Sequence, residues 1–368
     1  MKRKIALLLL CALFLCGCGK KAATPAQPTQ NTIPTAAPTA APTTAPTAAP
    51  TVAPTTAPTE PAYRHPLTGE GLAEPWSGQV VGVMVNNIKP AMPQSGLSQA
   101  DIIYEMEEEG GATRNFVLYS DISKVGNIGS VRSTRTYFVS VAAAYDAYLV
   151  HCGGSFHSDN GRYDANGNKL ANWKHINEGS NLYSKYFFRD SDRYSQGYAW
   201  EHTLYTTGKL LSEALKDKEQ SNLKAGVSFK DEVTLPDGKD AARITVTFKA
   251  GKTTTFIYDP ETGLYTRSQF GSETVDAATN EAVKVKNVIT LYTKQWYCSC
   301  GNGHQYYDTI GTGDGYVAID GKIVPIKWSR ASVNDPYTYT LENGAPLKLA
   351  VGSSYISIVG TKHTIQYE

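Results

Sequence analysis

Proline recurs at every fourth position of a tract near the N-terminus of this 368-residue chain, at residues 34, 38, 42, 46, 50, 54 and 58. Threonine and alanine fill most of the intervening positions, so almost no large apolar side chain is present to offset the entropy cost of ordering. Regularly spaced proline also favours an extended polyproline II backbone, which rises ~3.1 Å per residue. We therefore expect residues 19–62 to form a disordered spacer, and the hydrophobic core to begin at about residue 63.

The segment before this spacer has the order of a bacterial export signal. Lys2-Arg3-Lys4 precede an apolar run from Ile5 to Leu15, which is too short to span a bilayer. The run leads into Cys16-Gly17-Cys18, which is similar to the lipobox of bacterial lipoproteins, where a cysteine is acylated and becomes the first residue of the mature chain. Cys18 fits that role best, because glycine directly precedes it and Leu15 stands three positions before it.

Residues 1–18 are therefore predicted to be a lipoprotein signal peptide, with Cys18 as the site of lipidation. Each CH₂ group of an acyl chain that enters the bilayer contributes about 0.8 kcal/mol, so a diacyl anchor holds a protein at the extracytoplasmic face of the cell membrane. Membrane lipid is thus one expected partner. Cleavage of the signal peptide without lipidation is the alternative.

Charge and motifs exclude several other partners. With 35 Lys+Arg against 34 Asp+Glu, the formal net charge is +1, which lacks the basic excess of most nucleic-acid-binding proteins. The sequence contains no P-loop, dinucleotide fingerprint or zinc-protease helix motif, so we expect no cofactor. Cys298, Cys300 and His304 have the residue types of zinc ligands without the paired spacing of a zinc motif. An ordinary turn with exposed or oxidised thiols is the favoured interpretation, and no metal is expected.

Residues 63–222 mix strand and helix patterns, which predicts an N-terminal mixed α/β domain. The predicted strands are Val80–Val85, Asp101–Glu109, Arg114–Tyr119 and Tyr148–Cys152, and the predicted helices are Thr136–Tyr148 and Thr207–Lys218. Ser133 or Thr134 is the expected cap of the first helix. Gly110-Gly111 would close a hairpin, because glycine accepts positive φ, and this hairpin would place Arg114 opposite Glu107 or Glu109.

Residues 223–368 consist of short β-type segments separated by turn signals such as Asn343-Gly344. The predicted strands are Val227–Leu235, Arg243–Lys249, Thr253–Tyr258, Leu264–Phe270, Val283–Tyr292, Gly315–Ile319, Lys322–Lys327 and Tyr355–Val359. The expected fold class is therefore α+β, in which a mixed α/β domain is followed by a mainly antiparallel β domain.

The stretch from Gly129 to Arg135 stands directly before the predicted helix at residue 136. Free backbone N–H groups and the positive end of the helix dipole collect at such a position, and guanidinium groups beside them favour a phosphate or a carboxylate. Arg132 and Arg135 are therefore candidates for an anion pocket. The alternative is that Asp101, Glu105 or Glu109 pairs with these arginines and gives them a structural role.

A second candidate is His151-Cys152-Gly153-Gly154-Ser155, at the end of a predicted strand, where ligands of α/β sheets commonly bind. The glycine turn offers backbone donors, and His151 is a candidate general base. The nucleophile-elbow pattern is incomplete, because His157 occupies the place of the second glycine. His202, before the second predicted helix, is a third polar candidate. A structural role is the alternative for both His151 and His202.

Several motifs together resemble the YerB-type lipoproteins of Gram-positive bacteria. They are His65-Pro66-Leu67-Thr68-Gly69, Pro93-Gln94-Ser95-Gly96-Leu97, Ala100-Asp101-Ile102-Ile103-Tyr104-Glu105, Glu109-Gly110-Gly111-Ala112-Thr113-Arg114, Val131-Arg132-Ser133-Thr134-Arg135, His151 to Ser155, Gly313-Asp314-Gly315 and Lys327-Trp328-Ser329-Arg330. The resemblance runs from about residue 63 to the C-terminus and implies a two-domain surface lipoprotein that carries domains of unknown function. Carried over position by position, the family's polar motif falls on Glu105, Glu109, Arg114, Arg132, Arg135, His151 and Ser155. His202 keeps its place, although Glu201 and Thr203 depart from the family's pattern.

These features lead to one expected function and two alternatives. An Arg/Glu/His pocket in the first domain is expected to bind an anionic cell-envelope component, such as a cell-wall polymer, or an envelope protein, without catalysis. The first alternative is a cell-envelope hydrolase or transferase that uses the same pocket with His151 as its base. The second is a scaffold in which these charges only hold the domain together.

Overall fold

The computed structural model describes residues 60–155, 173–248, 251–298 and 303–368. The predicted signal peptide, the lipidation site Cys18, most of the predicted spacer, and Cys300 lie outside these ranges. Cys298 is disulfide-bonded. The chain from residue 58 to residue 368 packs as one compact unit.

A mixed sheet runs through this unit and contains eleven strands among the described residues. Ten of them lie side by side in the order Lys239–Asp240, Lys322–Arg330, Gly311–Ile319, Asn287–Thr293, Ser354–Gly360, Ile102–Glu107, Thr113–Tyr119, Val81–Asn87, Tyr148–His151 and His175–Asn177. The eleventh strand, Thr338–Leu341, also pairs with Lys322–Arg330.

The middle of this sheet joins distant parts of the sequence. Ser354–Gly360 lies parallel to Ile102–Glu107 on one side and to Asn287–Thr293 on the other. Strands from before and after residue 222 therefore share one sheet. Side chains of Ile102–Glu107 can therefore contact side chains of Ser354–Gly360, which come from the other end of the folded chain.

Smaller sheets pack around the central one. A second sheet has six strands in the described ranges, namely Ser272–Glu273, Leu264–Gln269, Thr253–Asp259, Arg243–Thr247 and Thr364–Tyr367, with Lys284–Val285 paired to Leu264–Gln269. The remaining groups are Asn127–Gly129 with Leu204–Thr207 and Phe188–Arg189, Tyr63–Arg64 with Gly71–Leu72, Ser228–Lys230 with Lys348–Ala350, and Gln295–Tyr297 with Gln305–Tyr307.

Helices are few and short, so the protein is mostly β-structure. The α-helices of the described residues are Thr136–Ala144, Ser191–Ser195 and Gly208–Leu215. Single 3₁₀ turns occur at Lys89–Ala91, Leu97–Gln99, Glu109–Gly111, Ile122–Lys124, Ser184–Tyr186 and Trp200–His202.

Two hydrophobic cores lie on the two faces of the central sheet, because successive residues of a strand point to opposite faces. Phe116 and Leu118 enter one core, whereas their neighbours Val117 and Tyr119 enter the other. The helix Thr136–Ala144 contributes side chains to the first core, and the six-stranded sheet contributes to the second. Burial on both faces explains the continuous apolar runs in the central strands, such as residues 81–85 and 116–119.

The local elements agree with the sequence patterns, with corrections at their ends. The hairpin through Gly110-Gly111 is confirmed, and both glycines have positive φ, at 75° and 77°. Its register was predicted wrongly, because Arg114 lies opposite Met106 on one side and Asn86 on the other. The 3₁₀ turn at Glu109–Gly111 replaces the tight loop on which the expected register depended.

Several predicted elements are shorter than expected. The first helix ends at Ala144 rather than Tyr148, because Asp146 adopts a left-handed φ of 45°. Its N-cap is Arg135 without a side-chain cap, so Ser133 and Thr134 were the wrong candidates. Val227–Leu235 is reduced to Ser228–Lys230, and Val283–Tyr292 divides into Lys284–Val285 and Asn287–Thr293.

Candidate functional site

The two candidate segments at residues 130–135 and 151–155 lie side by side. The Cys152 N–H donates to the Arg132 carbonyl at 3.1 Å, and the Thr134 N–H donates to the Gly153 carbonyl at 3.1 Å. Gly153 has a φ of +66°, which favours glycine at this turn. The structure thus brings the arginine stretch and the histidine turn together at the end of the strand Tyr148–His151.

The same arginine stretch lies between two further elements. The Val131 N–H donates to Leu204 at 2.7 Å, and the Arg132 N–H donates to Met84 at 2.9 Å. These bonds hold Arg132 between the central strand Val81–Asn87 and the strand that follows His202. His202 therefore also reaches this end of the sheet.

Arg135 is paired with a carboxylate. Its Nε donates to both oxygens of Glu109, at 3.1 and 3.0 Å, and its second terminal nitrogen lies 2.6 Å from Glu109 Oε2. Burial acts to raise the pKa of Glu109, but the hydrogen bonds and charge of Arg135 lower it below its usual value. The alternative expected for Arg135, a structural ion pair, is what its contacts show.

Arg114 belongs to the same ion-paired cluster. Its guanidinium contacts the Glu108 carboxylate and donates to the Ser133 carbonyl at 2.6 Å. Burial lowers the pKa of Arg114 to about 10, against the opposing charge of Glu108. Burial also raises the pKa of Glu108, although Arg114 and Arg135 both act to lower it. Arg114, Arg135, Glu108 and Glu109 therefore neutralise one another.

Glu105 lies in a different place, within a buried network under the six-stranded sheet. Its carboxylate accepts hydrogen bonds from five side chains among the described residues: Thr113 Oγ1 at 2.6 Å, Asn87 Nδ2, Thr254 Oγ1 and Tyr355 OH at 2.7 Å each, and Gln269 Nε2 at 3.0 Å. Burial acts to raise the pKa of Glu105, but the charges of Lys252 and Arg267 outweigh it and lower the pKa. With its oxygens occupied, Glu105 is placed to hold the sheets together.

Arg267 completes this network from the opposite side. The guanidinium is fully buried and donates to Tyr355 OH at 3.1 Å, Asn87 Oδ1 at 2.9 Å and Thr274 Oγ1 at 3.1 Å. Tyr355 OH in turn donates to Glu105, so the hydroxyl relays the contact between the two charges. Since Arg267 and Tyr355 come from distant strands, local sequence carries no signal for this arrangement.

His151 is fully buried, and its ring bonds fix its tautomer. Nδ1 lies 2.8 Å from the Gly153 carbonyl, which can only accept, so Nδ1 carries the hydrogen. Nε2 then accepts from His175 Nδ1 at 3.2 Å. Burial lowers the pKa of His151 to about 4, so the ring is neutral near pH 7. The unprotonated Nε2 of His151 thus already accepts a hydrogen bond from His175.

His202 and Ser155 are also buried at this end of the sheet. Asn86 Nδ2 lies 3.1 Å from His202 Nδ1, so the amide donates to the ring. Burial lowers the pKa of His202. The Ser155 N–H lies 3.4 Å from the Thr134 carbonyl, which ties the glycine turn to the arginine stretch. Neither residue belongs to the network around Glu105.

Arg132 differs from the other candidate arginines. It is half-buried and forms no ion pair with a carboxylate among the described residues. Its one terminal contact is a 3.3 Å hydrogen bond to the Glu201 carbonyl, and its buried Nε has no acceptor within the described part of the chain. Among the candidate arginines, Arg132 is therefore the one whose N–H groups are available to donate to a ligand.

A second arginine lies near Arg132. Burial raises the pKa of the Cys152 thiol to about 11, aided by the hydrogen bond to Glu178, while the charges of Arg189 and Arg132 act to lower it. The two guanidiniums donate to the carbonyls of consecutive residues, Arg132 to Glu201 and Arg189 to Trp200. Arg189 lies over the ring of Trp200 at 4.5 Å and donates to that residue's carbonyl.

Sequence reasoning missed two residues of this site. Glu108 is the partner of Arg114, and the acidic run Glu107-Glu108-Glu109 before the glycine hairpin was the available signal. Arg189 had no recognisable motif around it, because its relation to Arg132 depends on the packing of the small sheet at Phe188–Arg189.

Comparison with known families covers most of the folded chain. The family described as "Protein of unknown function (DUF3048) N-terminal domain" matches residues 67–222, and the corresponding C-terminal domain matches residues 244–356. The chain belongs to the DUF3048 family. The motifs that suggested YerB-type lipoproteins thus led to the correct family.

Individual relatives of this DUF3048 chain agree. It is 26% identical over 292 residues to the Bacillus subtilis (strain 168) protein named "Putative lipoprotein YerB", which covers 76% of this chain and 80% of that protein. The crystal structure of YerB protein from Bacillus subtilis matches with a TM-score of 0.67 and 25% identity, covering 83% of this chain and 99% of that one. This likeness points to a lipoprotein, and the family descriptions assign no activity.

No helix within the described residues combines the length and the apolar character needed to cross a membrane.

Proposed function

We propose that this DUF3048 protein is a lipoprotein that is anchored through acylated Cys18 at the extracytoplasmic face of the cell membrane and that binds an anionic envelope component, without catalysis, at Arg132. The observation that carries the proposal is the half-buried Arg132 guanidinium, which has no carboxylate partner among the described residues. A partly desolvated guanidinium favours a phosphate or carboxylate, which it can bind through two parallel hydrogen bonds.

The surroundings of Arg132 support an anionic ligand. Arg189 brings a second positive charge to the same end of the sheet, and Arg189 likewise forms no ion pair among the described residues. Arg114 and Arg135 contribute little net charge, because Glu108 and Glu109 neutralise them. The ligand-binding set thus narrows to Arg132 and Arg189, with the buried His202, His151 and Ser155 behind them.

The histidine geometry favours binding over catalysis. A general base needs an available lone pair and a pKa near the working pH. The His151 lone pair accepts a hydrogen bond from His175, and burial lowers its pKa to about 4. A hydrolase that depends on His151 would first have to break this contact, so the binding function is preferred.

The anchor is tested by replacing Cys18 with serine in the full chain, expressed in a Gram-positive host. Serine cannot form the thioether that carries the diacyl group, so we expect C18S to leave the membrane fraction and accumulate in the medium. The matched control is Cys16→Ser, which removes the neighbouring thiol and should leave the protein in the membrane fraction. Retention of C18S on membranes, or equal release of both variants, would contradict the anchor.

The binding site is tested by calorimetric titration of the intact protein with purified wall teichoic acid, muropeptides and isoprenoid phosphates. A hydrogen bond to a charged group contributes about 1.5–3 kcal/mol, so Arg132→Ala should weaken the Kd for the bound probe by roughly 10- to 100-fold. Arg132→Lys keeps the charge but loses the planar fork, so an intermediate loss is expected.

The control for this titration is Arg243→Ala, which removes an exposed arginine with the same change in net charge. Its Kd should stay within about twofold of wild type, since a surface charge contributes little. Absence of heat with all three probes, or an equal loss in Arg243→Ala, would reject a specific site at Arg132.

A further inference from the structure

A groove of about 540 Å³ lies between the strand Gln295–Tyr297 and the turn before the last strand. The principal side chains that line it are Phe248, Gln295, Trp296, Tyr297, Thr361 and Thr364. Its volume falls in the ~300–1,000 Å³ range of small-ligand sites. None of these residues is a hydrogen-bond partner of the Arg132 side chain.

The aromatic residues of the groove are held in place yet reachable. Trp296 pairs across the strands with Tyr306, and their rings stack with centroids 5.9 Å apart and an angle of 22° between the planes. The next residue, Tyr297, is 49% exposed. Rigid aromatic rings that remain open to solvent offer a large contact area at a low entropy cost.

The polar residues of the groove carry hydroxyl and amide groups. Thr247, Thr361, Thr364 and Gln295 supply both donors and acceptors, which match the hydroxyl groups of an uncharged ligand. Lys362 contributes a cationic side chain, and no carboxylate lines the groove among the described residues. A cationic ligand would therefore find no counter-charge in these walls.

The carboxylate of Glu107 is hydrogen-bonded to His363, a residue of the groove, but does not itself line the groove. His363 Nε2 lies 3.2 Å from Glu107 Oε2, and Gln305 Nε2 donates to Glu107 Oε1 at 2.9 Å. Glu107 is fully buried beneath this layer. His363 and Gln305 thus bond to the two oxygens of this carboxylate, and the groove is lined by aromatic rings, hydroxyl and amide groups and the cationic Lys362.

We propose that this groove binds a saccharide chain. A pyranose ring has an apolar face of C–H groups that can lie on an aromatic ring, and a rim of hydroxyls that can bond with threonine and glutamine side chains. Trp296 and Tyr297 supply the apolar contacts, and Gln295 and the threonines supply the polar ones. This is a second site, for a neutral ligand, and its lining does not include Arg132.

The test is a titration of the intact protein with chitotetraose, followed by tryptophan fluorescence and calorimetry. An aromatic contact contributes up to ~1.5 kcal/mol beyond burial, so Tyr297→Ala and Trp296→Ala should each weaken the Kd by about tenfold. The matched controls are Tyr194→Ala and Trp200→Ala, whose side chains are 59% and 57% exposed elsewhere on the surface. These controls should bind as wild type does.

Three results would overturn the saccharide site. They are the absence of binding by the wild-type protein, unchanged binding by folded Tyr297→Ala, and an equal loss in the matched controls. Circular dichroism melting of each variant shows whether it folds, and Tyr297, being exposed, can be replaced with little effect on folding. Arg132→Ala should leave the chitotetraose titration unchanged, so failure of this site is distinguishable from failure of the anion site.

Discussion

Replacing Glu105 with glutamine should reduce the free energy of unfolding by about 3–5 kcal/mol, the usual effect of removing one partner from a buried charge network. The change leaves the buried Arg267 guanidinium and the Lys252 ammonium without their carboxylate. It also places an NH₂ group where the carboxylate now accepts from Tyr355, Thr254 and other donors. Urea unfolding of the intact protein, followed by circular dichroism, measures the difference.

The pH dependence of this difference tests the charge of Glu105 rather than its shape. The pKa of Glu105 in the folded protein is lower than its ordinary value of 4.5, so the unfolded chain binds more protons between the two values. Stability from this group is therefore present above pH 4.5 and is lost as the pH falls through the folded-state pKa. The difference in the free energy of unfolding between wild type and Glu105→Gln should therefore become smaller as the pH falls below 4.5.

The matched control for Glu105 is Glu273→Gln, which changes an exposed glutamate on the edge strand of the six-stranded sheet. Surface substitutions usually change stability by less than about 0.5 kcal/mol, so this variant should unfold as wild type does. An equal effect in both variants, or a gap that stays constant with pH, would show that the network does not depend on the Glu105 charge.

Replacing Arg330 with methionine should also be strongly destabilising, by about 3 kcal/mol or more, because buried carbonyls lose their donors. Arg330 is 1% exposed, and in the described residues all of its hydrogen-bond acceptors are uncharged. They are the carbonyls of Asp335, Thr309, Ser140 and Val333 and the hydroxyl of Ser140. The guanidinium thus fastens the helix Thr136–Ala144 to the strand Lys322–Arg330.

Arg330→Lys provides the conservative comparison, since an ammonium retains the charge but has three N–H groups instead of five. We expect it to recover part of the stability lost in Arg330→Met. The matched control is Lys327→Met on the same strand, where the lysine is exposed and, among the described residues, pairs only with Asp314. Thermal and urea unfolding should place this control near wild type. Equal stability of Arg330→Met and Lys327→Met would show that the hydrogen bonds of Arg330 do not stabilise the contact between the helix and the strand.

The candidate site was predictable where it depended on neighbours along the chain. The strand before His151, the helix after Arg135 and the glycine hairpin follow from patterns only a few residues long. What could not be predicted was which acids each arginine meets. Arg135 turns to Glu109 because the hairpin presents that carboxylate beside the helix start, whereas Arg132 points toward Glu201 and away from it.

For Glu105 as well, the sequence predicts the strand but not the hydrogen-bond partners, which lie far away along the chain. Its position in a β-strand follows from the apolar run Ile102-Ile103-Tyr104 that precedes it. Its partners Gln269 and Tyr355 lie 164 and 250 positions further along the chain. Such a pairing exists only because Ser354–Gly360 joins the central sheet beside Ile102–Glu107. A single sequence contains no local signal that selects this neighbour from the other apolar strands.

The sequence by itself predicted a leader and a spacer, and it determined the family and most of the individual strands, since periodicity and turn chemistry act through steric contacts between near neighbours. Tertiary structure alone decided that both family segments share one sheet, that Glu105 and Arg267 are interior, and that Arg132 is left without a carboxylate partner among the described residues. The reason is that a charge is neutralised by whatever lies within a few ångströms, and folding sets that distance independently of separation along the chain.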